Sequence, residues 1–195
     1  MRKGEITRQF IIEKAAPIIN RKGMAGTSLS DIMEATKLAK GCLYGNFDNK
    51  EEICLESFNF LAQRYASELK VHLSSYPAGK ARLLAYLDFS LTGKFRDENG
   101  GCPVINFGSE ADDTNPVIRE RVRQTIRGVQ EMLKQMITDA IGLGEFKPTV
   151  DAGLLALKVY TMLEGAVLIS RIENSNSQLE QITKLIQNEI EEISE

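Results

Sequence analysis

The run Gly26-Thr27-Ser28-Leu29-Ser30-Asp31-Ile32, followed seven residues later by Lys40-Gly41-Cys42-Leu43-Tyr44-Gly45-Asn46-Phe47-Asp48-Asn49-Lys50-Glu51-Glu52-Ile53, decides how this chain folds. Ser28-x-x-Asp31 reads as a capping box, in which a hydroxyl and a carboxylate satisfy the first free N–H groups of a helix. It predicts a short helix from Leu29 to about Thr36. A second short helix fits Ala39 to Tyr44, and Asp48 and Asn49 can cap a longer one from Lys50 to about Leu73. That longer helix carries the apolar stripe Cys54, Phe58, Leu61, Ala62, Tyr65 and Leu69. Upstream, Ile11, Ile12, Ala15, Ile18 and Ile19 line a first helix ending near Gly23. Pro17 lies inside it and is expected to bend it, because proline cannot donate to the carbonyl of Glu13.

Two short helices joined by a tight turn behind a longer one make a helix-turn-helix. Ile32, Met33, Leu38, Leu43 and Phe47 are expected to face its small core. Ala39, Lys40, Gly41, Cys42 and Tyr44 then face outward on the second short helix, the one free to enter a major groove. Gly41 permits close backbone approach, Lys40 suits a phosphate or a guanine edge, and Tyr44 suits a phosphate. Lys50, Thr27 and Ser28 sit at helix starts, where the dipole favours phosphate. Lys37 at the turn and Asn46 after the second helix complete the candidate DNA contacts. Charge follows the same division: residues 1–50 hold nine Lys and Arg against five Asp and Glu, whereas the remainder holds 15 against 22. A basic head on an acidic body points to an anionic partner for the head alone.

The two quoted runs closely resemble the signature of the tetracycline-repressor (TetR) family, and the spacing Ile11-Ile12-x-x-Ala15-x-x-Ile18-Ile19 matches its first helix. The resemblance covers about residues 8 to 55. It implies a homodimeric ligand-responsive repressor with three DNA-binding helices, a divergent helical ligand domain, and a dimer interface built from the last two helices. Several residues depart from the pattern. Thr36-Lys37-Leu38-Ala39 stands where the family usually has Ala-Gly-Val-Ser, so Lys37 must adopt the left-handed conformation that glycine takes more easily, at a cost of about 1 kcal/mol. Ala39 removes a hydroxyl cap, Cys42 replaces a common Thr or Ser, and Asn46 replaces a common His. Farther on, Gly100-Gly101-Cys102-Pro103-Val104-Ile105-Asn106, then Glu110, is similar to one subgroup that opens its sixth helix with a Gly-Cys pair.

Beyond the head, apolar residues recur at three and four rather than at two, giving an all-α chain of about nine helices. Residues 1–48 are expected to form the DNA-binding domain, and 49–195 a ligand-binding and dimerisation domain. Ser74 to Gly79 marks a break, and a fifth helix carries Leu83, Leu84, Leu87 and Leu91. Thr92 to Ser109 is expected to be a long loop or a broken helix. Pro116 starts a long helix, Asp151 to Glu173 is apolar nearly all round and should be covered on two sides, and Ser177-x-x-Glu180 caps the last. An effector pocket is expected among apolar and aromatic groups of the fifth, seventh and eighth helices, with Tyr86, Phe89, Phe107, Met132, Met136, Tyr160, Met162 and Glu164 as candidates.

Other classes fit less well. Lys158 and Glu164 interrupt the most apolar stretch, which therefore reads as a buried helix rather than a membrane span. The first seven residues carry charges instead of a secretory apolar stretch. Three cysteines, Cys42, Cys54 and Cys102, have no metal-like spacing and suit a reducing cytoplasm. Cys42 lies near Lys40, where oxidation could block DNA, but a redox role is the lesser reading, and Cys54 and Cys102 read as packing residues. His72 is the only histidine, and no phosphate loop, metal motif or nucleophile elbow is present, so neither an enzyme nor a cofactor is expected. The serious alternative is a helical scaffold that binds no DNA. Its support is the heptad-like last helix, which continues for only about two heptads.

Overall fold

A computed structural model describes residues 3–195, and among them ten helices and no strand; a lone antiparallel bridge joins Phe146 to Ser194. The helices are α1 (Lys3–Lys22), α2 (Leu29–Thr36), α3 (Lys40–Tyr44), α4 (Lys50–Leu73), α5 (Lys80–Thr92), α6 (Lys94–Asn99), α7 (Pro103–Ala111), α8 (Pro116–Gly142), α9 (Ala152–Glu173) and α10 (Ser177–Glu192). The fold is all-α, as the periodicity predicts. Its contacts divide the chain into two compact units.

The first unit takes in the chain up to Ala66 together with Lys94–Arg123. Here α1 packs on α2, α6 and α7, and α2 packs on α3. Ile11, Ala15, Ile19, Ile32, Leu43, Phe47 and Phe58 form the apolar centre. Pro17 does not interrupt α1, which runs through it to Lys22, with buried residues on both sides of it. The chain leaves that helix through Gly23 at φ 84, whose N–H donates to the carbonyl of Ile19. The segment expected as a loop or broken helix holds α6 and α7. Between them Gly100 and Gly101 adopt φ 85 and 116, a backbone that L side chains rarely reach.

The second unit takes in Ser67–Gly93 and Gln124–Glu195. In it α10 packs on α9 and α5 around Leu83, Leu87, Leu133, Ile137, Val159, Leu163, Leu179 and Ile186. α9 is apolar enough by length and composition to cross a membrane. It buries Leu155, Val159, Leu163 and Val167, and its Lys158 pairs with Glu189 at 2.6 Å. The opposite face keeps Leu154, Leu157, Leu168, Ile169 and Ile172 exposed, so within this unit α9 is covered on one side rather than two. The expected capping box of the last helix does not form. Ser177 is the first helical residue, and Asn176 takes the cap position without a side-chain bond.

Candidate nucleic-acid interface

The chain between Gly23 and Lys50 builds a helix-turn-helix whose two ends are fastened differently. At the start of α2 the capping box is complete: Ser28 Oγ accepts from the N–H of Asp31 at 3.1 Å, and Asp31 accepts from the N–H of Ser28 at 2.8 Å. Lys22 bonds the same carboxylate at 2.5 Å. These partners hold the Asp31 carboxyl well below the usual carboxylate range, Lys22 contributing most and Ser28 next. At the other end, Lys37 is left-handed (φ 58), as the glycine-less turn requires. Ala39 then caps α3 with no side-chain bond.

The outward set on α3 is where the sequence predicts it. Lys40, Gly41 and Tyr44 are exposed, Tyr44 by 50 %, and the Lys40 ammonium lies 5.7 Å from the Tyr44 ring centroid. Ala39 is exposed beside them and Cys42 is half-buried. A Cβ added to Gly41 would meet nothing within 4 Å, so the fold itself does not require glycine there. Inward, Ile32, Leu43 and Phe47 are buried, while Met33 and Leu38 are half-buried.

Four other candidates have inward duties. Thr27 is 1 % exposed and its hydroxyl donates to the Gly23 carbonyl. The Ser28 hydroxyl is engaged in its own cap. Asn46 turns its amide back to the Cys42 carbonyl at 2.8 Å. The Lys50 ammonium donates to the Thr27 carbonyl at 2.8 Å, tying the start of α4 to the start of α2.

Sequence reasoning missed Arg8. Its guanidinium donates to the Asn46 carbonyl at 2.5 Å, to Glu52 at 2.7 Å and to Glu56 at 3.3 Å, and lies 4.2 Å from the Phe47 ring centroid. It thereby fixes the exit of α3 against α4. Glu52 also accepts from the N–H of Asp48, and that bond, followed by Arg8, lowers its pKa. Nothing local in sequence announces this hub, whose partners lie 38 to 48 residues away. Cys54, buried in the core of this unit, has its thiol pushed up to about 11 by burial.

The effector candidates are distributed over both units. Phe107 belongs to the first unit and packs on Phe58 with centroids 5.4 Å apart. Tyr86, Met136 and Tyr160 are buried in the second unit, where Phe89, Met132, Met162 and Glu164 are half-buried. A groove of about 310 Å³ in that unit, whose walls include Lys147, Val150, Leu154, Lys158 and Glu189, contains none of them.

A capped short helix, a tight turn and an exposed basic-aromatic helix on a basic head define a helix-turn-helix DNA-binding regulator. The family described as bacterial regulatory proteins, tetR family, matches residues 11–56, and the tetracyclin repressor-like C-terminal domain matches residues 79–186. Similar solved structures include a TetR transcriptional regulator from Chloroflexus aurantiacus J-10-FL, 37 % identical, covering 100 % of this chain and 98 % of that one at TM-score 0.93. Another is a TetR-family transcriptional regulator from Cytophaga hutchinsonii, 34 % identical over 100 % and 98 % of the chains at TM-score 0.91. An uncharacterized HTH-type transcriptional regulator from the lacX 3' region of Lactococcus lactis subsp. lactis is 25 % identical, covering 97 % of this chain and 95 % of its own. The chain belongs to the TetR family of ligand-responsive, DNA-binding transcriptional regulators. The scaffold alternative is not favoured.

Proposed function

We propose that this regulator acts in the cytoplasm as a twofold dimer, represses by binding a palindromic operator, and is released by a small-molecule effector. Residues 1–48 form the reading head, and 49–195 receive the effector and dimerise. The observation that carries the reading is the exposed face of α3. Lys40 and Tyr44 flank a glycine whose absent side chain serves no contact within the protein, as expected where a groove wall must come close. Two such helices set about 34–36 Å apart would enter successive major grooves of one duplex.

The uncovered apolar face of α9, with Leu185 exposed on α10, supports pairing through the last two helices. The chain passes between its units inside α4, at Gly93 and inside α8. A shift of α4 as a pendulum is therefore the simplest route from effector to head. A coupling of about 1–3 kcal/mol releases DNA roughly five- to 150-fold. Tyr86, Met136 and Tyr160 are the candidate apolar lining for the effector.

Selection of bound duplexes from a random pool, with sequencing, tests the reading. A twofold-symmetric consensus is expected, and recovery of no duplex at low salt would overturn it. Tyr44→Ala should weaken binding to every duplex, whereas Lys40→Ala should also relax preference at one position.

A further inference from the structure

Six hydrogen bonds join α7 and the residues just before it to the end of α1 and the turn that follows, and a seventh ties Asn106 to the segment that precedes α7. The Asn20 side chain, 2 % exposed, donates to the carbonyls of Asn99 at 2.8 Å and Gly101 at 3.0 Å. Asn106 donates back to the Asn20 carbonyl at 2.8 Å, to Asn20 Oδ1 at 3.2 Å and to the Gly100 carbonyl at 3.1 Å. One turn along the same face of α7, the Glu110 carboxylate accepts from the backbone N–H groups of Met24 and Ala25, each at 2.9 Å. The fit is close on both sides. A Cβ on Gly23 would collide with Glu110 Oε1, and one on Gly100 would lie 2.9 Å from Arg21 Cβ.

The two halves of this clamp differ in what they do. Asn20 is buried, so its bonds satisfy carbonyls that water cannot reach, which is a contribution to stability. The N–H of Ala25 is exposed, and water can replace the carboxylate there. The Glu110 bonds therefore fix where the 23–28 turn lies more than whether the unit folds. That turn decides where α2 begins. Charge-assisted bonds to two successive N–H groups leave it little freedom.

We propose that Glu110 is a positioning residue for operator binding, holding the α1–α2 turn, and hence α2 and α3, in the geometry that reads DNA without itself touching DNA. This rests on the operator-binding function proposed above. The test uses full-length protein, the duplex that the parent selects from a random pool, and a scrambled duplex of equal length. Glu110→Ala is expected to lose about tenfold on the selected duplex, the scale of one well-made contact. Its affinity for the scrambled duplex and its melting temperature should stay close to the parent's. Glu110→Gln, which keeps one acceptor oxygen, should lie between the two. Equal affinity of parent and Glu110→Ala for the selected duplex would overturn the proposal. So would a parallel loss on both duplexes accompanied by a fall in melting temperature, because Glu110 would then be a structural prop. If the parent selects no duplex, it is the operator-binding function that fails.

Discussion

Lys37 in the turn, Ala39 at the cap and Gly41 inside the five-residue α3 each forgo local stability. Lys37 holds a left-handed backbone, Ala39 offers no cap, and Gly41 adds backbone entropy to the unfolded chain. Lys37→Gly and Gly41→Ala should therefore each raise stability by ~1 kcal/mol, read as a higher midpoint in denaturant melts. The two should part company on DNA. The Gly41→Ala methyl would project where the groove wall is expected and weaken operator binding at least about tenfold, while Lys37→Gly would lose one exposed cation and some salt dependence. Asn20→Ala should behave oppositely, lowering stability by ~2 kcal/mol because it strands the buried carbonyls of Asn99 and Gly101.

At the scale of elements, α2 and the start of α4 are set by carboxylates. Asp31 and Glu52 are both held below their ordinary values by their partners. A depressed folded pKa contributes stability that is complete above the unfolded values of about 3.9 and 4.3 and is lost as pH falls below them. The difference in melting temperature between the parent and Asp31→Asn should thus be full at pH 7 and shrink below about pH 4, measured by circular dichroism. The capping box on Ser28 and the start of α8 at Pro116 were legible because each is written in a few neighbouring residues. So was the strained turn at Lys37, from the glycine that the family pattern places there. The Arg8 hub and the clamp from Asn106 and Glu110 were not, since they join residues roughly 40 to 90 positions apart that no helical period relates. Nor were the side-chain bonds of Asn46, Thr27 and Lys50, candidate DNA contacts in the sequence, to the backbone carbonyls that a small head must satisfy.

Across the whole molecule, the exposed leucines and isoleucines of α9 are the feature on which the proposed dimer rests. Leu168→Glu should yield a monomer in light scattering, since a charge cannot be buried unpaired in an apolar seam. Its affinity for a single half-site should match the parent's, while binding to the full palindrome should fall by about 10²-fold or more, because the two heads no longer share one effective concentration. A dimer that persists with full operator affinity would place the interface elsewhere.

The arrangement around α3 also bears on how such a regulator acquires new targets. The contacts that hold α3 directly lie behind it or at its exit, in Leu43, Phe47 and the Arg8 guanidinium, none of which belongs to its outer surface. Lys40 and Tyr44 can consequently be exchanged for other side chains with little penalty to the scaffold beneath. On the operator-binding reading proposed above, retargeting to an unfamiliar promoter is then a matter of a few surface codons, tried one at a time, with the architecture held in reserve.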